Sequence, residues 1–121
     1  MKFTLENPSA VTIHSVSDRE VRIGNQLCSE PVALTPAGIL EQWIPVPVEQ
    51  LCINDLDALI ETGPELIIVG TGDHQVLPSR ELMFAMARQG IGLEFMDTPA
   101  AARTFNVLVA EGRSVAAVLF L

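Results

Sequence analysis

Three short polar stretches hold the side chains with which this chain could do chemistry. The first is Gly70-Thr71-Gly72-Asp73-His74-Gln75. Glycines in such a turn let backbone N–H groups close on an anion, which is how phosphate-binding loops work. Here that fingerprint is incomplete. No third glycine follows at the required spacing, and the next helix signal, Pro78-Ser79, comes too late for its N-terminus to be aimed from this turn. The plainer reading of Gly70-Thr71-Gly72 is a strand exit that needs a positive φ. Asp73 and His74 could serve as orienting carboxylate and base, because imidazole titrates near neutral pH. No Ser or Cys nucleophile stands beside them in a recognisable motif, so solvated loop residues are the bland alternative.

The second stretch is Asp97-Thr98-Pro99 and the helix it opens, which bears Arg103, Thr104 and Asn106. Arg103 could fix an anionic group, and Asn106 can both donate and accept hydrogen bonds. With Gly70, Thr71 and Gly72 these three residues define a candidate ligand-binding crevice. The competing reading is that Arg103, Thr104 and Asn106 only tie their helix to neighbouring loops. The third candidate is Glu94, inside the apolar run Ile91 to Met96. A carboxylate buried there needs a partner or a raised pKa, and an ion pair with Arg103 or Arg113 is favoured over an acid/base role. His14 reads as a partly buried structural residue, and Met83, Met86 and Met96 as core. Cys28 and Cys52 belong to no Cys-x-x-Cys or Cys/His ligand spacing and read as buried free thiols. Nothing in the sequence assigns a catalytic residue, a metal site or a cofactor.

The elements that must position these residues fall into two halves. From Val11 to about Pro36, runs rich in β-branched residues (Val11–Val16, Glu20–Ile23, Leu27–Leu34) are separated by Ser17-Asp18-Arg19 and Gly24-Asn25-Gln26, a spacing that suits antiparallel strands and tight turns. Residues 39–51 hold Pro45 and Pro47, which forbid a regular helix, and form an extended connection. From Asn54 onward helix and strand alternate. Asn54 or Asp55 caps a short helix ended by Gly63-Pro64; residues 65–70 form an apolar strand. Pro78-Ser79 opens a helix whose inner face carries Leu82, Met83, Met86 and Ala87, and residues 91–96 form the next strand. Thr98 is the expected N-cap of the following helix, with Pro99 at its first position, and Ala101, Phe105 and Leu108 on its buried face. The last run, residues 114–121, is apolar on both faces and so reads as a central strand covered by helices on each side. Single helices between strands require parallel pairing and right-handed crossovers. The expected fold is therefore three-layer α/β: a central, mostly parallel mixed sheet with helices on both sides and an added N-terminal antiparallel β layer. Residues 1–121 read as a single domain, and in a parallel sheet the crevice lies at the carboxyl ends of the strands.

Composition bounds the partners. Seven Lys and Arg against fifteen Asp and Glu give a formal charge of −8, and the few cations are scattered, which disfavours nucleic acid. Only 18% of residues are charged while 49% are hydrophobic, so apolar surface is left for self-association or a protein partner to cover. No apolar run reaches the length of about 20 residues that a spanning helix needs. Met1 to Pro8 shows neither a signal-peptide core nor an Arg-rich presequence, so a cytoplasmic protein is expected.

The stretch Pro64 to Gly72, followed by Pro78, Gly90-Ile91, Glu94, Met96, Thr98, Ala102-Arg103-Thr104-Phe105-Asn106-Val107-Leu108 and Glu111-Gly112-Arg113-Ser114-Val115-Ala116-Ala117, resembles a small three-layer α/β family of unknown function. Its eukaryotic relatives include the mitochondrial assembly factor 3 of NADH dehydrogenase, respiratory complex I. The likeness is specific from Pro64 to Ala117, and the missing presequence fits a bacterial member. It implies the same layered fold, no established activity, and a role in holding protein partners, including subunits of a membrane complex. Phe105 departs from the tyrosine usual in this segment, which removes a hydroxyl. Two functions follow as expectations. The favoured one is a non-catalytic binding or assembly protein; the alternative is a small-ligand binder or enzyme using the crevice at Gly70–Gly72 and the Arg103/Asn106 helix.

Overall fold

The computed structural model describes residues 11–121; the leaderless reading of Met1 to Pro8 lies outside them. Among the described residues, eight strands and three α-helices follow one another. The strands β1 (Ile13–Val16), β2 (Val21–Ile23) and β3 (Gln26–Cys28) form a small antiparallel sheet. Next come β4 (Val32–Thr35), β5 (Gly38–Ile39), the one-turn helix α1 (Asp57–Ile60), β6 (Leu66–Thr71), α2 (Arg80–Gln89), β7 (Gly92–Met96), α3 (Thr98–Ala110) and β8 (Val115–Phe120). The main sheet has the order β5-β4-β8-β6-β7. The pairs β8–β6 and β6–β7 are parallel, and β4 joins β8 antiparallel, so the sheet is mixed. Every residue of β8 is buried, as an apolar run at the centre of the sheet requires.

The chain leaves β6 for β7 through α2, then returns past β6 to β8 through α3. Two right-handed crossovers that run in opposite directions along a sheet place their helices on opposite faces. On one face Ala101, Ala102, Phe105 and Val109 of α3 pack with Ile68, Ala117 and Leu119 of the sheet and with Ile13, Val21 and Ile23 of the small sheet. On the other, Leu82 and Met86 of α2 pack with Ile67, Val69, Phe95 and Val118, alongside Leu56, Leu59 and Trp43. The indole N–H of Trp43 donates to the carbonyl of Asp55 at 2.9 Å, and its ring meets Phe120 edge-on at 6.2 Å. That contact anchors the connection 40–52, which is extended around Pro45 but carries a 3-10 turn at Val48–Gln50.

Several sequence expectations are corrected here. The run Leu27–Leu34 is not one strand: Pro31 interrupts the ladder, and β3 and β4 belong to different sheets. Met83 and Ala87 face solvent, leaving Leu82 and Met86 as the inner face of α2. On α3 Val109 is buried where Leu108 is only half-buried. His14 is exposed, because alternate residues of β1 point away from α3. Cys28 is half-buried and Cys52 is exposed. Burial, and next the charge of Glu41, push the Cys28 thiol above its ordinary range.

Candidate functional site

Thr98 is the residue around which the carboxyl end of the parallel strands is built. The N-cap of α3 is Asp97, whose carboxylate accepts the Ala100 N–H at 2.8 Å, so Thr98 sits one residue inside the helix. Asp97 takes the capping role expected of Thr98. That releases the Thr98 hydroxyl, which accepts the Gly72 N–H at 2.8 Å and donates to the Phe120 carbonyl at 2.5 Å. The Thr98 N–H in turn donates to the Gly72 carbonyl at 2.8 Å. One side chain, 2% exposed, thus joins the ends of β6, β8 and α3.

Gly70 and Gly72 serve this junction for different reasons. A Cβ on Gly70 would lie 2.9 Å from the Thr98 hydroxyl and 3.0 Å from Ala101 Cβ, so the glycine lets α3 approach the strand. Gly72 has φ +98°, the positive angle expected of the strand exit. Thr71 closes the neighbouring gap: its hydroxyl reaches the carbonyls of His74 at 2.6 Å and Met96 at 3.1 Å, and accepts the Val76 N–H at 3.2 Å. Gln75 donates to the Phe95 carbonyl at 3.0 Å, covering an outer position of β7. The loops leaving β6 and β7 part to opposite faces here, the usual place for a ligand crevice. These threonine and glutamine bonds sew that gap shut.

An open cleft of about 450 Å³ remains beside it. Its inner wall is Thr71, Gly72, Thr98 and Phe120. Val16 to Asp18 of the β1–β2 turn close one side, Val48 and Glu49 another, and Asp73 and His74 stand at the mouth. His74 Nδ1 lies 2.7 Å from Asp73 Oδ1, with both side chains more than three-quarters exposed. This hydrogen bond, and then the charge of His74, hold the Asp73 carboxyl below its usual range. The pair therefore forms, but on the surface.

The sequence candidates divide between two places. Thr71 and Gly72 line the cleft. Arg103 and Asn106 line a separate depression with Ile13 to Val16, sharing only the wall of Val16 and Pro99 with the first. Asn106 accepts the Ile13 N–H at 2.9 Å and donates to the Ile13 carbonyl at 2.8 Å, pinning β1 across a separation of 93 residues. Thr104 donates to the Met96 sulfur at 3.5 Å, and Arg103 is exposed. Glu94 is exposed too, and neither expected ion pair forms: Arg113 instead meets Glu65 at 2.6 Å. The reason is strand order, because β7 is an edge strand and Glu94 lies beyond the cover that α3 gives to β6 and β8. Phe105 is wholly buried, so its ring serves packing. Replacing Asn106 by Leu removes both bonds to Ile13 and should cost about 1–2 kcal/mol, read as an earlier urea midpoint. Replacing the exposed Arg103 by Ala should leave the midpoint unchanged within about 0.5 kcal/mol.

Sequence reasoning missed Thr98 as a structural hub, Asp18 and Glu49 as cleft residues, and an apolar face on α2. Phe84 is 57% and Met83 53% exposed, and Leu77 just before the helix is 75% exposed. Arg80, Phe84 and Arg88 follow at four-residue spacing and share one exposed line along the helix. Among the described residues no helix is long and apolar enough to cross a membrane.

With this geometry in place, comparison with known proteins identifies the family. Residues 13–120 match a family described as protein of unknown function (DUF498/DUF598), and the chain belongs to it. It is 32% identical over 92 residues to the 13 kDa major membrane protein of Francisella tularensis, covering 75% of each chain. It is 33% identical over 116 residues to the bovine NADH dehydrogenase [ubiquinone] 1 alpha subcomplex assembly factor 3, covering 94% of this chain but only 62% of that protein. The crystal structure of a Bordetella parapertussis protein superposes with a TM-score of 0.85 at 32% identity, covering 93% of this chain and 96% of that one.

Proposed function

From this family membership we propose that residues 1–121 act as one non-catalytic domain that binds a protein partner through the exposed face of α2. The observation that carries the reading is the face itself. Leu77, Met83 and Phe84 are large apolar side chains left in water by a fold that has buried both faces of its main sheet. Arg80 and Arg88 stand one turn before and one turn after Phe84, with Glu81 beside the first, so a chain of net charge −8 presents here an apolar strip carrying two guanidinium groups and one carboxylate. Its complement is an apolar segment flanked by acidic residues. The relative named as an NADH dehydrogenase 1 alpha subcomplex assembly factor supports subunits of a membrane complex as the class of partner.

The test is recovery of partners from the native host on tagged protein, with mass spectrometry. Subunits of a membrane complex should be recovered by the wild type and by Arg103→Ala. A Met83→Asp/Phe84→Asp double variant should lower their recovery about tenfold or more, as loss of a central aromatic anchor does. Equal recovery by the double variant, or recovery of nothing beyond the protein itself, would overturn the reading. A second reading, a small-ligand binder at the strand ends, is supported by the cleft that Thr71 and Gly72 line.

A further inference from the structure

We propose that the cleft at the ends of β6 and β8 takes an organic cation: a primary ammonium on a short aliphatic stem. The inference rests on the small-ligand reading of that cleft and is independent of the α2 face. It follows from an account of which hydrogen-bonding groups the cleft has left to offer.

The donors of the inner wall are spent. The Gly72 N–H is taken by the Thr98 hydroxyl, the Thr98 N–H by the Gly72 carbonyl, and the Thr98 hydroxyl proton by Phe120. The Thr71 hydroxyl is engaged with the His74 and Met96 carbonyls. At the start of α3, Pro99 has no N–H and the Ala100 N–H is held by Asp97. A helix N-terminus so occupied cannot receive a phosphate or carboxylate in the usual way.

Acceptors remain. Asp18 and Glu49 reach the rim from two unrelated segments, and among the described residues neither carboxylate has a salt-bridge partner. Asp73 adds a third, already shared with His74. Among the described residues no Lys or Arg lines the cleft; Arg103 lies beyond the Val16–Pro99 wall. Among the described residues no group of three or more His, Cys, Asp or Glu could hold a metal ion. Between rim and floor stand Val16, Pro31, Val48, Pro99 and Phe120, which suit methylene groups. About 450 Å³ falls within the range of small-molecule sites. An ammonium brings three donors and a positive charge to these rim carboxylates, and its stem meets the apolar wall.

Such a group could be a free amine or a lysine side chain of a peptide, and calorimetric titration of the intact protein separates them. The probes are hexylammonium, hexanol, hexanoate and an acetylated, amidated Gly-Lys-Gly peptide. Hexylammonium or the peptide should bind saturably and more weakly as salt rises, with the tighter of the two naming the source. An Asp18→Asn/Glu49→Gln variant, altered only at exposed positions, should weaken that binding about five- to tenfold. Binding of hexanol or hexanoate as tight as hexylammonium, or cation binding unchanged in the variant, would overturn the cation while leaving a ligand site. No saturable binding of any probe below about 10 mM would overturn both.

Discussion

Thr98→Val should lower the stability of the fold by about 2–4 kcal/mol, because it strands two main-chain groups that nothing else in the junction can satisfy. Valine keeps the shape and the branched Cβ, so the packing of α3 against β6 is nearly unchanged. What disappears is the oxygen that receives the Gly72 N–H and donates to the Phe120 carbonyl. Both hydrogen bonds are buried and Thr98 is 2% exposed, so valine leaves both main-chain groups without their partner at the floor of the cleft. Thr98→Ser keeps the hydroxyl and loses one buried methyl, which should cost only about 1 kcal/mol. Urea unfolding of the three proteins checks this: the midpoint of the valine variant should fall well below that of serine at an unchanged slope. Equal midpoints for valine and serine would mean that the hydroxyl contributes nothing and that only the methyl contacts matter.

That Thr98 would carry this junction was only half legible in the sequence. Asp97-Thr98-Pro99 announces a helix start, yet Asp97 and Thr98 are both good caps, and the choice between them depends on the ends of β6 and β8. The general order of elements was legible because it is local. An apolar run such as residues 115–120 can only be a covered strand, and the alternation of helix and strand after Asn54 dictates parallel pairing. What failed depends on contacts distant in sequence. Glu94 looks buried in its own segment, but strand order makes β7 an edge. On α2 six consecutive apolar residues, Leu82 to Ala87, leave periodicity no polar face to mark, so Met83 and Ala87 were placed on the inner face although both are exposed. Asn106 read as a candidate ligand residue because its amide can donate and accept, while the partner it holds, Ile13, lies 93 residues away. Of the cleft, Thr71 and Gly72 were found from their place after a strand; Asp18 and Glu49 come from segments that only the tertiary fold brings there.

Gly70→Ala is the second large effect, expected at about 3 kcal/mol, and its cause is space and not backbone conformation. The φ of Gly70 is not in the positive range, so alanine can adopt this backbone without strain. The new methyl would nevertheless lie 3.0 Å from the Thr98 Cα, and a main-chain atom in the first turn of a helix cannot rotate aside. Relief requires moving α3 off β6, which stretches the bonds from Thr98 to Gly72 and Phe120. The consequence is coupling. Once Thr98→Val has broken those bonds, the displaced helix has less to lose, so the double variant should cost at least about 0.5 kcal/mol less than the sum of the two single changes. Gly90→Ala provides the contrast: its Cβ would meet nothing, but φ +72° should cost about 1 kcal/mol through backbone strain alone, with no coupling to Thr98. Strict additivity of Gly70→Ala with Thr98→Val in denaturant unfolding would show that helix approach and the threonine junction are separate features. Coupling would show that the close approach permitted by Gly70 is what puts the Thr98 hydroxyl within reach of both strand ends.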